Sequence, residues 1–164
     1  MIVKIFNPEP RKKMAGFDFH WTIAKPRSNP VIYQNVNDWE YMNKYICFKL
    51  KQLYLNNFMI VVFVDYCGEL EKNLIQTCLY LTKIPCYLVI PKNSLSLNKP
   101  NIELFDYFID FIREYENIPN FYIDVSKSFY MGDAMGRSQD WDNYDKLFAE
   151  RIGITYFYPE QIMF

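Results

Sequence analysis

The chain has 164 residues, enough for one domain with a substantial core, and its 51% hydrophobic and 19% aromatic content excludes a disordered protein. A formal net charge of −1 excludes an overall basic field, so a polyanion would have to be held by a local patch. One histidine, His20, and four cysteines with no CxxC pair argue against a zinc framework and for a reducing intracellular setting, cytoplasmic or nuclear, with no membrane segment.

In chain order, Met14–Asp18 is a short apolar run stopped by polar residues, which predicts a buried strand. Beyond Pro26 and Pro30, Asp38 reads as a helix N-cap. Glu40 then falls in the first turn, and Trp39, Met42, Ile46, Leu50, Leu53 and Tyr54 follow at helical spacing. Phe58–Val64 is a continuous β-branched and aromatic run, the pattern of a central parallel strand covered on both faces. Gly68 and Glu69 lead into a second helix through Leu74, Cys78 and Leu81, and Cys86–Ile90 predicts a third strand. Asn101 caps a helix whose inner face carries Ile102, Phe105, Phe108, Ile109 and Ile112. Phe129–Gly132, Tyr144–Ile152 and Thr155–Tyr158 read as strand, helix and strand. Such alternation predicts βαβ units in a Rossmann-like α/β fold: a parallel sheet flanked by helices, one domain over residues 1–164.

Two of the predicted strands end on an aspartate, Asp18 in AGFDFHWTI and Asp133 in SFYMGDAMGR. The carboxyl ends of neighbouring strands in an open α/β sheet converge on one crevice. Two aspartates delivered there can hold a hard divalent cation such as Mg²⁺, and one can attack phosphorus to form an aspartyl-phosphate. Lys99, beside Pro100 at a predicted helix start, can neutralise a phosphate or the nucleophilic carboxylate. Plainer readings stand beside these: Asp18 as a turn cap, Gly132–Asp133 as a β-turn, Lys99 as an exposed loop lysine. Arg11, Lys12 and Lys13, with Lys25 and Arg27, form either a substrate rim or a solvated surface.

These residues in this order resemble the haloacid dehalogenase-like phosphatases, and more narrowly the 3′-phosphatase domain of polynucleotide kinase/3′-phosphatases. The superfamily's D-x-D-x-T corresponds to Asp18-Phe19-His20-Trp21-Thr22. The narrower likeness rests on AGFD at Ala15–Asp18, NDW at Asn37–Trp39, SFYMGDAMGR at Ser128–Arg137, DWDNYDKLFAERIGI at Asp140–Ile154 and YPEQ at Tyr158–Gln161. The resemblance implies a Mg²⁺-dependent phosphatase acting on nucleic-acid 3′ ends, in a repair setting. Asp18 would be nucleophile and metal ligand, the His20 carbonyl and Asp133 further ligands, and Lys99 the charge-neutralising lysine. Thr22, Asp65 and Arg137 are the candidate substrate-binding residues. No kinase domain accompanies them, since the chain has no GxxxxGK[ST] loop.

Departures from the family pattern leave two functions open. The family's acid/base aspartate is His20, the following glycine is Trp21, and the phosphate-binding threonine or serine of the second strand is Val64. Loss of a positioned acid/base costs about 10²–10⁴-fold in rate, and loss of a hydroxyl contact to a charged phosphate about 1.5–3 kcal/mol. Imidazole also transfers protons, so His20 can keep the role. The first reading is a 3′-phosphatase weakened by these replacements. The alternative is a catalytically inactive descendant that binds nucleic-acid ends or serves as a subunit of a repair or transcription assembly.

Overall fold

The computed structural model describes residues 1–92 and 97–162. In chain order the elements are β1 (Ile2–Ile5), β2 (Met14–Phe17), β3 (Ala24–Pro26), β4 (Trp39–Tyr41), α1 (Ile46–Leu55), β5 (Met59–Phe63) and α2 (Glu69–Thr82). Then come β6 (Cys86–Val89), α3 (Glu103–Tyr115), β7 (Phe129–Met131), α4 (Tyr144–Ile152), β8 (Thr155–Phe157) and α5 (Pro159–Ile162). Six strands form one sheet in the order β1-β6-β5-β2-β7-β8, parallel except for the edge strand β1, which runs antiparallel to β6.

The strand pattern explains why helices cover both faces. Along β5, Ile60 and Val62 point into one apolar cluster with Ile46 and Leu50 of α1 and Leu74, Ile75 and Cys78 of α2. Met59, Val61 and Phe63 point into the opposite cluster, with Leu104, Phe108 and Ile112 of α3 and Phe148 of α4. A strand buried on both faces has no solvent side, hence an unbroken apolar run. Close approach matters at Gly16, where an added Cβ would stand 2.8 Å from the Tyr130 ring of the adjacent strand.

The chain leaves β2 toward β5 and β6 on one side and later returns to β7 and β8 on the other. The order reverses at β2, and the crevice at the carboxyl end of such a strand is the place where an open α/β sheet binds ligands. Asp18 is the first residue past β2.

The helix expected from Asp38 begins instead at Ile46, and Trp39–Tyr41 pairs with Ala24–Pro26 as an antiparallel hairpin. Period-two contacts decide the matter: Trp39 and Tyr41 share one face with rings 5.1 Å apart, while Lys25 meets Glu40 across the strands at 3.3 Å. Asp38 ties a loop, accepting from the Ser28 N–H at 2.9 Å, the Ser28 hydroxyl at 2.6 Å and the Gln34 N–H at 2.8 Å. The N-cap of α3 is Ile102 and not the expected Asn101, which stands one residue earlier and accepts from the Glu103 N–H through Oδ1 at 3.0 Å. No helix among the described residues is long and apolar enough to cross a membrane.

The Ser28 hydroxyl and the Gln34 N–H hold the Asp38 carboxyl below the usual carboxylate range. Its ionised form is therefore favoured by the fold, and that stability is present above the ordinary carboxylate pKa and lost as pH falls below it through the lowered folded value. Thermal unfolding of Asp38→Asn should show a deficit against the parent at pH 7 that shrinks below about pH 4. A deficit independent of pH would mean that the charge of Asp38 does not matter.

Candidate active site

Five side chains from separated parts of the sequence meet at the carboxyl end of β2 in a cleft of about 190 Å³: Asp18, Asp65, Lys99, Asp133 and Asp145. Asp18 follows β2, Asp65 follows β5, Asp133 follows β7, Lys99 lies just before α3, and Asp145 sits in the first turn of α4. The Asp18 N–H donates to the Met131 carbonyl at 2.8 Å, which fixes the end of β2 against β7. The Lys99 ammonium, 4% exposed, donates to Asp18 Oδ1 at 2.5 Å and to Asp145 Oδ1 at 2.9 Å. Its backbone N–H donates to Asp65 Oδ1 at 2.8 Å, so the same residue binds both ends of the cleft.

Asp145 is held from three sides. Besides Lys99, the Tyr130 hydroxyl donates to Oδ1 at 3.0 Å and the Ala134 N–H to Oδ2 at 3.1 Å. A Cβ built on Gly132 would overlap the Asp145 carboxyl group, so the glycine of the GD pair is required by this contact.

The charges do not balance within the cluster. Asp18, Asp133 and Asp145 each offer a carboxylate oxygen within 4.8 Å of the others, with one ammonium among them. Burial raises the Asp18 carboxyl to about 6, against the pull of Lys99 and with a push from Asp145. Burial raises Asp133 to about 8, reinforced by Asp18 and then Asp145. For Lys99, burial acts to lower its pKa, but Asp145 and Asp18 outweigh it and hold the ammonium well above its ordinary range. A cluster of oxygen donors with unneutralised negative charge fits a divalent cation.

The structure brings Asp18, His20, Asp65, Lys99 and Asp133 to one cleft. His20 lines it while its ring nitrogens face elsewhere. Nδ1 lies 2.9 Å from the Tyr33 hydroxyl, and Nε2 lies 2.6 Å from Glu71 Oε1 but is not aligned with it as a hydrogen bond. Trp21 adopts the left-handed φ of 57° in which glycine is at ease, and its ring lines a neighbouring cavity and not the aspartate cleft. Thr22 is wholly buried, its hydroxyl without a hydrogen-bond partner among the described residues. Arg137 is engaged by Asp140 at 3.0 Å and Glu160 at 2.9 Å and lines none of the described cavities. Val64 points into the core.

Arg11, Lys12 and Lys13 precede β2 and so lie at the end of the strand away from Asp18. There Arg11 donates to the Tyr54 carbonyl at 2.9 Å, Lys12 lies over the Tyr122 ring and Lys13 over Phe58. Sequence reasoning missed Asp145, Tyr130 and Tyr33. Of these only Asp145 left a signal, in the Asp-x-x-Phe-Ala run that opens α4.

Residues 13–163 match the family model described as "Polynucleotide kinase 3 phosphatase". The chain belongs to this family. It is 29% identical over 168 residues to the bifunctional polynucleotide phosphatase/kinase of Schizosaccharomyces pombe, covering 98% of this chain and 40% of that protein. The match thus spans about two fifths of its relative's length. A 20.8 kDa uncharacterized protein from the FGF–VUBI intergenic region of Autographa californica nuclear polyhedrosis virus is 24% identical over 167 residues, covering 93% of this chain and 86% of that protein. Among solved structures, D,D-heptose 1,7-bisphosphate phosphatase from B. bronchiseptica, complexed with magnesium and phosphate, superposes with a TM-score of 0.57 at 11% identity. That superposition covers 92% of this chain and 85% of the other. A "putative HAD-like phosphatase" from Mesorhizobium loti superposes with a TM-score of 0.55 at 13% identity, over 89% of this chain and 71% of the other, so the chain shares the fold of these phosphatases.

Two substitutions should move stability in opposite directions. Lys99→Met leaves Asp18 and Asp145 facing each other without a cation and should cost about 3–5 kcal/mol. Asp133→Asn relieves like-charge crowding, so in a chelator its melting temperature should equal or exceed the parent's, by ~2–4 °C. The parent should gain thermal stability with millimolar Mg²⁺, and Asp133→Asn should lose that gain. A parent indifferent to every divalent cation tried would contradict the cation-site reading.

Proposed function

We propose that this protein is a Mg²⁺-dependent phosphomonoesterase that removes terminal 3′-phosphates from nucleic acid. The observation that carries the reading is the Asp18–Lys99–Asp145 network with Asp133 beside it, buried at the sheet's reversal point. The family match over residues 13–163 supports the choice of a nucleic-acid end as substrate.

Asp18, Asp133 and the His20 carbonyl are the proposed cation ligands, with Asp145 closing the cluster. Bound there, Mg²⁺ would supply positive charge against the phosphate oxygens. Asp18 attacks phosphorus through a carboxylate oxygen, a P–O bond to Asp18 forms, and the bond to the 3′-oxygen breaks. The departing oxygen takes a proton and leaves as a 3′-hydroxyl. Water then attacks the aspartyl-phosphate, gives up a proton to a base, and releases inorganic phosphate with the Asp18 carboxylate restored. Lys99 orients Asp18 and offsets charge on the transferring group. His20 is the proposed donor and acceptor of the proton, a role that requires its ring to turn from Tyr33 and Glu71 toward the cleft, and Asp65 is proposed to shape the substrate's seat. A 3′-hydroxyl end is the substrate that strand-joining and extending reactions need, which sets the activity in nucleic-acid repair.

One observation favours a second reading. The two His20 nitrogens face Tyr33 and Glu71, which leaves the imidazole oriented by the protein and not by the cleft. A chain with this geometry and Val64 in the core could retain the site as a nucleic-acid-end binder within a repair or transcription assembly.

Phosphate release from a 3′-phosphorylated oligonucleotide with Mg²⁺ separates the two. Asp18→Asn should abolish release. His20→Asp, paired with Glu71→Gln to remove the facing carboxylate, should raise the rate by roughly 10²–10⁴-fold if proton transfer limits the parent. No turnover in the parent, together with turnover in a His20→Asp/Val64→Thr variant, would overturn the enzyme reading in favour of the binder.

A further inference from the structure

A second cavity, of about 390 Å³, adjoins the aspartate cleft and is walled by Trp21, Pro26, Val31, Ile32 and Leu70. His20 lines both, so the two spaces share this residue as a wall. We propose that this cavity seats the base of the 3′-terminal nucleotide whose phosphate occupies the aspartate cleft. The proposal rests on the phosphatase-site reading for the position of the phosphate and adds the base seat to it.

Three observations carry it. The cavity walls are apolar and include the Trp21 indole, which is half-buried without being part of either core cluster. An aromatic ring presented at the edge of a ligand cleft is a stacking surface, and stacking accepts any base because every base has a π face. Val31 and Ile32 are 69% and 60% exposed at the cavity, an apolar surface that a docked base would cover.

The third observation is charge. Pro26 lines the cavity, and its neighbours in the chain are Lys25 and Arg27. The Lys25 ammonium lies 5.6 Å from the Trp21 ring centroid and is shared with Glu40 at 3.3 Å, and Arg27, exposed just past β3, donates to the Trp39 carbonyl at 2.9 Å. A slot for a base with cations beside it matches one unpaired nucleotide followed by its phosphodiester. The cleft itself is rich in aspartates, so attraction for a polyanion has to come from this side. The polar groups at the cavity edge, His20 and Glu71, face each other, so recognition would depend on stacking and show little base preference.

The test is binding, which does not require turnover. The Asp18→Asn variant with Mg²⁺ is titrated with 3′-phosphorylated single strands that end either in a normal nucleotide or in an abasic residue. The base-bearing strand should bind roughly tenfold tighter. That ratio should fall to within about twofold when Trp21→Leu or Ile32→Ser is added, the latter at an exposed position that carries little folding risk. Equal affinity for the two strands, or a ratio unchanged by both substitutions, would overturn the base seat. Phosphate release by the wild-type chain separates this from failure of the underlying reading. Equal kcat/KM for base-bearing and abasic ends would leave the phosphatase standing and remove the seat. No release from either strand with the binding ratio intact would do the reverse.

Discussion

The structure hangs on one buried cation. Lys99 carries its ammonium into a space where an isolated charge would be too costly to keep, and it stays charged because Asp18 and Asp145 meet it there. Its backbone N–H reaches Asp65 at the same time. Four elements that are remote in sequence, β2, β5, the start of α3 and the start of α4, are therefore tied at one point. The packed apolar clusters on either face bring these elements together, but hydrophobic contact has no direction and would not fix the heads of four side chains to within tenths of an ångström. The charge network does that.

The same network is over-supplied with negative charge. Asp145 is satisfied by Lys99, the Tyr130 hydroxyl and the Ala134 N–H, and it sits tightly over Gly132. Asp133 makes no such bond to the ammonium among the described contacts, and burial, with Asp18 and Asp145 beside it, pushes its carboxyl up. An arrangement adapted only for stability would not keep an aspartate there, since an amide of the same shape would avoid the repulsion. Retaining it makes physical sense if a cation is part of the working site.

The central parallel strands are legible because burial on both faces leaves an unbroken apolar run, and α2, α3 and α4 because one buried face repeats apolar residues at helical spacing. Asp18 and Asp133 were legible as strand-end carboxylates for the same reason. Asp38 misled because a capping aspartate and a loop-tying aspartate look alike in sequence. What separates them is whether Trp39 and Tyr41 meet edge to face on one side of a strand or lie along a helix, which depends on β3, a partner some fifteen residues earlier. Arg137 looked like a phosphate ligand, yet its guanidinium is satisfied by Asp140 and Glu160. Tyr130 and Tyr33 carry no local signal at all, since a tyrosine in an apolar run or a loop acquires its partner only in three dimensions.

The hairpin also changes how the departures at residues 20 and 21 are understood. His20 is received by Tyr33, which belongs to the loop leading into β4, and stands against Glu71 of α2. A carboxylate in its place would face Glu71 with like charge, so the imidazole and its two neighbours form a compatible set, and exchanging one member disturbs the others. Trp21 holds a backbone angle suited to glycine, and its side chain lines the second cavity and not the aspartate cleft. The two replacements act in different directions. The histidine puts an imidazole at the cleft where the family pattern has a carboxylate, whereas the tryptophan stays out of the aspartate cleft and adds an aromatic wall beside it. The ammonium, the aspartates and the Gly132 contact thus keep their register beside a ring that stays out of their way.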